Sequence, residues 1–238
     1  MNIVGQQNFR KNGRRALPTA FLVLALFPHV SRAHPVVFAG GTAVMIHQHA
    51  DIAELEVVHS PSSRLGFGLS AQRSSSHSQL MFNSSLLGWR GNFPDFQSNF
   101  YIGAGLGQQW TRDKDDSLNH AVATFASKNS TLYQWRIGLD GEDREFYSNA
   151  MWMRTYNQHD EFYDQGKFRL GYAPYKAQTN ELTIWGMVEW VPQRLSSQNA
   201  VTHEVTPYVR LFYRNALVEL GNSLGGKFSI NYMFHFFN

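Results

Sequence analysis

The feature that most constrains this chain is an alternation of apolar residues with polar or small residues, repeated along several separate runs. Successive side chains of a β-strand point to opposite faces, so each such run has one apolar face and one polar face. The clearest runs are 65–72, 100–107, 133–139, 168–173, 205–213 and 228–236. The chain is therefore predicted to be all-β.

Both a secreted β-sandwich and a membrane-spanning barrel show this alternation, and three features favour the barrel. Many runs have the length of about 9–11 residues that a tilted strand needs to cross a bilayer. The face opposite the apolar one is rich in Gly, Ser, Gln and Arg, as a barrel interior is. Aromatic residues that suit an interfacial girdle stand at the ends of the runs, namely Trp89, Trp110, Tyr172, Trp190 and Tyr213.

The predicted fold is a transmembrane antiparallel up-and-down β-barrel of about 12 strands. The predicted strands are 42–48, 51–59, 64–72, 79–90, 98–110, 119–140, 145–156, 166–175, 181–191, 203–213, 216–222 and 227–236. The polar segment 127–130 leaves open whether 119–140 is one strand or two. Alternate connections are mostly shorter, which places both chain ends on the periplasmic side, because periplasmic turns of such barrels are short.

Residues 1–33 are typical of a secretory signal peptide. A basic, polar stretch over 1–15 precedes an apolar stretch over 16–30, and Ser31 and Ala33 supply the small residues of a cleavage site. The apolar stretch is shorter than the roughly 20 residues of a membrane helix, and an uncleaved anchor is the alternative. The predicted mature chain, 34–238, is a single barrel domain located in the bacterial outer membrane.

Charge and cysteine content exclude several classes of function. The formal charge of the 238 residues is +3, but residues 1–33 carry five basic residues and no acidic one, which leaves the rest at −2. The basic balance therefore does not indicate a nucleic-acid partner. The absence of cysteine excludes a disulfide scaffold, a thiolate metal site and a cysteine nucleophile.

The last predicted strand resembles the carboxy-terminal signal that the barrel assembly machinery recognises in outer-membrane proteins. Its alternating residues are Phe228, Ile230, Tyr232, Phe234 and Phe236. In that pattern an aromatic residue is normally last, whereas here Phe237 and Asn238 follow. The mature start at 34–38 and the segments 170–175 and 205–213 are similar to small, largely uncharacterised proteobacterial outer-membrane barrels. This resemblance implies fold and compartment, and it brings no catalytic residues.

Charged residues of both signs are predicted to face the barrel interior. A charge at mid-bilayer on the lipid face costs about 2–4 kcal/mol, which favours the inward face. By strand parity the inward set is Glu54, Glu56, Arg136, Arg169, Glu189, Arg210 and Glu219. Two interpretations remain open, an ion-pair network that plugs the interior and a polar pathway whose charges select a solute. Inward glycines at 66, 68, 103, 105, 107, 138 and 171 leave space for large neighbours or for water.

Histidine supplies a second hypothesis, a copper-type metal site. Cleavage before His34 gives a free amine beside an imidazole, and His47 and His49 lie near the first external turn. Imidazole suits copper, zinc and nickel, but the alternative of solvated polar groups stays open.

Two further hypotheses concern the external loops. Calcium, or lipopolysaccharide bridged by divalent cations, suits the acidic positions Asp113, Asp115, Asp116, Asp160, Glu161 and Asp164. Ordinary solvated loops are the alternative. A hydrolase acting on lipid or peptide would need a serine and a histidine within hydrogen-bond reach. The candidates are Ser74, Ser75, His77 and His159, and no motif of the barrel hydrolases matches.

The sequence favours an outer-membrane barrel that is a narrow or plugged channel or an envelope structural protein. The alternatives are a metal-binding envelope protein and a barrel hydrolase. No cofactor is expected. The expected partners are outer-membrane lipid and lipopolysaccharide, the barrel assembly machinery, and small ions or a divalent metal.

Overall fold

The computed structural model describes residues 39–50, 52–111, 129–158, 161–177, 180–197 and 200–236. The predicted signal peptide and His34 lie outside these ranges. The described residues form twelve β-strands: β1 (Thr42–His49), β2 (Ile52–His59), β3 (Leu65–Arg73), β4 (His77–Asn92), β5 (Gln97–Thr111), β6 (Ser130–Glu142), β7 (Phe146–Asn157), β8 (Phe162–Tyr172), β9 (Thr183–Leu195), β10 (Thr202–Tyr213), β11 (Ala216–Asn222) and β12 (Phe228–Phe236).

The twelve strands form one closed antiparallel barrel. Each strand pairs with its neighbours in sequence, and the sheet closes where β1 pairs with β12, from Thr42 opposite Phe236 to His49 opposite Ser229. Closure leaves no unpaired strand edge, which is what a sheet surrounded by lipid requires. The predicted up-and-down barrel of about 12 strands is confirmed.

Two rims bound the barrel. The terminal rim, where β1 begins and β12 ends, carries the connections 60–64, 93–96, 143–145, 173–182 and 214–215. The opposite rim carries the connections 50–51, 74–76, 158–161, 196–201 and 223–227, together with the segment between β5 and β6, of which residues 112–128 lie outside the described residues. The tight turns at both rims use a left-handed residue, with φ of 48° at Ala50 and 55° at Arg214.

The predicted strands overlap the observed ones, and the largest differences in extent are in the sixth, the eighth and the ninth, which ends at Leu195 and not at 191. Of the predicted strand 119–140, the described part is β6, which begins at Ser130 and continues to Glu142; residues 119–128 lie outside the described ranges. The eighth strand runs from Phe162 to Tyr172 and not from 166 to 175. Its first residues include Tyr163, Asp164 and Gln165, whose polarity suggested a loop, although they pair with β7 and β9.

The outer wall of the barrel is apolar and exposed. Side chains at alternate strand positions are about half exposed or more, for example Leu69 at 51%, Leu106 at 54% and Leu170 at 68%. The predicted girdle residues Trp89, Trp110, Tyr172, Trp190 and Tyr213 are also exposed. No helix among the described residues is long and apolar enough to span a membrane. The apolar wall around a closed sheet is the architecture of an outer-membrane β-barrel.

We expect the folded barrel to resist dissociation in detergent. Unheated protein should migrate faster on a denaturing gel than heated protein and should fractionate with outer membranes, because the closed sheet stays intact until it is heated. Recovery in the soluble periplasmic fraction, with identical mobility before and after heating, would contradict a membrane barrel.

Candidate functional site in the barrel lumen

The interior of the barrel is polar and charged, unlike its outer wall. All seven charged residues predicted to face inward occupy strand positions that are less exposed than their outward neighbours. They are Glu54 and Glu56 on β2, Arg136 on β6, Arg169 on β8, Glu189 on β9, Arg210 on β10 and Glu219 on β11. The structure separates them into a connected group on one side of the lumen and a looser group on the other.

Glu219 is the centre of the connected group. Its carboxylate accepts hydrogen bonds from Arg210 (Nη2 to Oε1, 2.7 Å), Asn231 (Nδ2 to Oε2, 2.8 Å) and Arg169 (Nη1, 3.2 Å to each oxygen). Only 2% of Glu219 is exposed. A carboxylate buried this deeply is tolerated only when cations and hydrogen-bond donors surround it.

The same group extends to Glu189 and to two tyrosines. The Nε of Arg169 is hydrogen-bonded to Glu189, and the hydroxyl of Tyr208 donates to Glu189 over 3.3 Å. The guanidinium of Arg210 lies 4.6 Å from the ring centre of Tyr147, a cation–π distance. We call Arg169, Glu189, Arg210, Glu219 and Asn231 the charge network.

Two residues outside the predicted set complete this side of the lumen. Lys167, two positions before Arg169 on the same face of β8, places Nζ 3.9 Å from Glu189. Asn231 on β12 accepts a hydrogen bond from Nδ1 of His47 on β1 (3.1 Å). Strand alternation in the sequence is enough to place Lys167 on the inward face, whereas nothing in the sequence marks Asn231 as a partner of Glu219.

Glycines line the other side of the lumen, on β3, β5 and β6. The side chain of Arg136 lies against Gly103. A Cβ at position 103 would be only 2.7 Å from the Arg136 Nε and 2.9 Å from the carbonyl oxygen of Ser84. Arg136 also donates to the hydroxyl of Ser85 over 2.6 Å. At Gly138 the nearest atom to an added Cβ is 3.7 Å away, which is ordinary contact. Glycine therefore admits a large neighbour at 103 and leaves space at 138.

Glu54 and Glu56 face this glycine-lined side. Both are half-buried, and within the described part of the chain neither takes part in an ion pair. Arg136 and Lys167 are the cations whose charges act on them. Lys167 brings this set to four acids and four bases, and two further acids, Asp140 on β6 and Glu204 on β10, occupy inward strand positions.

Exposure differs along the lumen wall. Most residues of the charge network are almost inaccessible, with Glu189 at 6% and Arg210 at 7% exposed. Inward side chains on β3 to β5, such as Ser70, Met81 and Tyr101, are also buried. Glu54, Glu56, Arg136 and Gly138, on β2 and β6, are of intermediate exposure and are partly open to water.

The predicted metal ligands do not form a cluster in the described ranges. His47 is hydrogen-bonded to Asn231, and Nε2 of His49 lies 2.9 Å from Glu204, whose other oxygen is 3.4 Å from Lys227. Among the described residues no group of three or more His, Cys, Asp or Glu side chains is arranged to hold a metal. His34 lies outside them, so copper binding there stays a prediction.

Ser74 and His77 do meet, in the turn between β3 and β4. Ser74 Oγ is 2.9 Å from His77 Nδ1, but it also accepts hydrogen bonds from the backbone N–H groups of Ser76 and His77 (3.2 and 3.1 Å). Both side chains are buried. These bonds make Ser74 a turn-stabilising residue, and His159 and Asp160 lie outside the described residues.

Asp164 is not a loop residue. It lies on β8 facing outward, is 1% exposed, and is ion-paired with Arg154 on β7 and with Arg194 on β9. The interpretation of Asp164 as part of a solvated, calcium-binding loop is therefore wrong, because the residue lies within a strand and its carboxylate is already ion-paired. Asp113, Asp115 and Asp116 lie outside the described residues.

The proposed assembly-signal residues all lie on one face of β12. Phe228, Ile230 and Phe236 are exposed on the outer wall, and the rings of Phe234 and Phe236 are 4.7 Å apart. Their alternation places the whole set on the outer face of the strand, where Phe234 is nevertheless only 7% exposed. Recognition by the assembly machinery stays a prediction.

No protein-family model and no curated protein sequence matches the chain. Among solved structures it is similar to a KdgM porin, with 13% identity over 83% of this chain and 99% of that chain and a TM-score of 0.48. It is also similar to a BenF-like porin from Pseudomonas fluorescens, with 9% identity over 84% of this chain and 64% of that chain and a TM-score of 0.40. The corresponding values for OmpT of Vibrio cholerae are 8% identity, 87% of this chain, 100% of that chain and a TM-score of 0.39. The likeness is one of barrel architecture.

Proposed function

We propose that this chain is a narrow outer-membrane channel for ions and small polar solutes. The observation that carries the proposal is a polar, charged lumen in which the charge network is largely buried, whereas Glu54, Glu56 and Arg136 remain partly accessible. The network narrows the pore and holds its shape. The partly accessible positions on β2 and β6 line the remaining path for a solute.

The charges along this path are arranged to orient a solute. Glu54 and Glu56 lie on β2, and Lys167 lies on β8, which is six strands away and therefore opposite in a closed barrel of twelve. A solute that passes between them experiences a transverse field from acids on one wall and a cation on the other. Such a field favours dipolar or zwitterionic solutes over strongly charged ones of either sign, because the lumen wall presents charges of both signs.

Insertion into the outer membrane through the β12 pattern and contact with its lipids belong to the same proposal. The apolar wall provides the contact surface for lipid. The exposed aromatic residues at the strand ends match the interfacial girdles of membrane barrels.

Conductance in planar bilayers tests the channel. We expect the wild type to give small, steady current steps. Arg210→Ala should enlarge the steps or lower the stability of the barrel, because it removes a side chain from the lumen and takes a partner from Glu219.

Leu211→Ala is the matched control, since Leu211 is the next residue on β10 and faces outward. It should change neither conductance nor stability strongly. A large wild-type conductance that Arg210→Ala leaves unchanged would contradict the narrowed lumen and indicate a general porin. The absence of current from both proteins, with folding intact, would indicate an envelope structural protein.

A further inference from the structure

The outer wall carries one row of charge that the channel does not use. Arg154 on β7, Asp164 on β8 and Arg194 on β9 are direct partners in the strand register, so they form a line across three strands close to the opposite rim. The row holds two cations and one anion. Since strand parity turns all three residues toward lipid, the row carries a surplus positive charge on the membrane-facing surface.

The surplus charge belongs to Arg194. Arg154 binds Asp164 through two nitrogens, Nε to Oδ1 and Nη2 to Oδ2 (2.7 Å for the second). Arg194 contacts Asp164 through Nη2 alone, over 3.1 Å, and its side chain is 43% exposed. Arg154 therefore neutralises the carboxylate, and Arg194 keeps its charge and most of its N–H donors for another acceptor.

Aromatic rings hold the two guanidinium groups in place. The guanidinium carbons of Arg154 and Arg194 lie 4.7 Å and 5.3 Å from the ring centre of Phe162. Arg154 also lies 5.9 Å from the ring of Tyr156. Stacking of this kind fixes the plane of a guanidinium before any ligand arrives, which lowers the entropy cost of binding.

The wall just below the row has the features of an interfacial zone. Phe168 and Trp190 stack with ring centres 5.1 Å apart, and Trp190 stacks on His203 at 5.8 Å. Between these rings and the charged row, Pro192 and Phe168 cover Gly166, where a Cβ would lie 2.9 Å and 3.1 Å from them. Aromatic belts mark the level of lipid headgroups, so Arg194 lies at headgroup level.

We propose that Arg194, oriented by Arg154, Asp164 and Phe162, binds the phosphate of a phosphorylated glycolipid in the outer leaflet. A phosphate oxygen accepts from the Arg194 N–H groups that Asp164 does not use, and the glycolipid body lies against the stack of Phe168 and Trp190. Both ends of the barrel sheet lie at the terminal rim, which is expected to be periplasmic, so the opposite rim faces the external leaflet, where such a glycolipid resides.

Native mass spectrometry of the full barrel in neutral detergent tests this site. The probes are diphosphorylated lipid A, its dephosphorylated form and phosphatidylglycerol. We expect the wild type to retain diphosphorylated lipid A in preference to the other two. Arg194→Gln should weaken that retention about ten-fold, the loss expected for one charge-assisted hydrogen-bonding group.

Arg73→Gln is the matched control, because Arg73 is also an exposed, outward arginine at the opposite rim, on β3. It should retain lipid as the wild type does. Equal retention by wild type and Arg194→Gln, equal retention of the dephosphorylated lipid, or a preference for phosphatidylglycerol would overturn the proposal. The two lipid comparisons use the wild type alone, so they hold even if Arg194→Gln fails to fold, and none of these readouts depends on conduction.

Discussion

Replacing Glu219 by alanine is expected to destabilise the barrel more than any other single lumen substitution. The change leaves Arg169 and Arg210 facing each other without their shared carboxylate and leaves Asn231 without its acceptor. Removing one partner of a buried ion pair costs about 3–5 kcal/mol. The loss should be measured as a lower urea midpoint for unfolding from detergent micelles and as a lower temperature of the gel-mobility shift.

Leu220→Ala is the control for this substitution, since Leu220 is the next residue on β11 and is 40% exposed on the outer wall. Its effect should be small. Glu219→Gln should fall between the two variants, because the amide oxygen still accepts a hydrogen bond although the charge is lost. If Glu219→Ala were as stable as Leu220→Ala, the charge network would have no structural role.

Replacing Gly138 by phenylalanine should reduce conductance several-fold without unfolding the protein. Gly138 faces the lumen and is partly exposed, and the nearest atom to an added Cβ is 3.7 Å away. The backbone therefore accepts a side chain there, and the ring extends into the space through which a solute passes. Single-channel recording in planar bilayers measures the effect.

Gly186→Phe is the matched control for this variant. Gly186 lies within β9, faces the outer wall, and also accepts a Cβ, with the nearest atom at 4.0 Å. The two substitutions add the same ring on opposite sides of the barrel wall, so only Gly138→Phe should reduce the current. A wild-type current in Gly138→Phe would place the solute path elsewhere in the lumen.

The barrel could be predicted because the alternation of apolar and polar residues shows both where a strand lies and which face of the sheet each side chain is on. Parity alone put Glu219 and Arg210 on the face that became the interior. Strand ends were harder to predict, because polar residues at an end have the composition of a loop. Asp164 is an example, since it belongs to β8 and is ion-paired with Arg154 and Arg194 on the neighbouring strands.

The pairing inside the lumen could not be predicted in the same way. Arg169 reaches Glu219 from a strand three positions away, β8 to β11. Which charges meet across a barrel depends on how far neighbouring strands are staggered, and that stagger is a property of the closed sheet. The sequence therefore predicts the membership of the charge network better than its contacts.

The pairing of β1 with β12 also sets an order of assembly. Most strand pairings in this barrel join neighbours in sequence, whereas the pairing of Thr42 with Phe236 joins the first strand to the last. Contacts between residues so distant in sequence form late, because a long loop has to close first. The hydrogen bond from His47 to Asn231 crosses this same junction, and Asn231 in turn holds Glu219. The last step of closure therefore also completes the charge network, so a barrel that is still open lacks one donor to its central carboxylate.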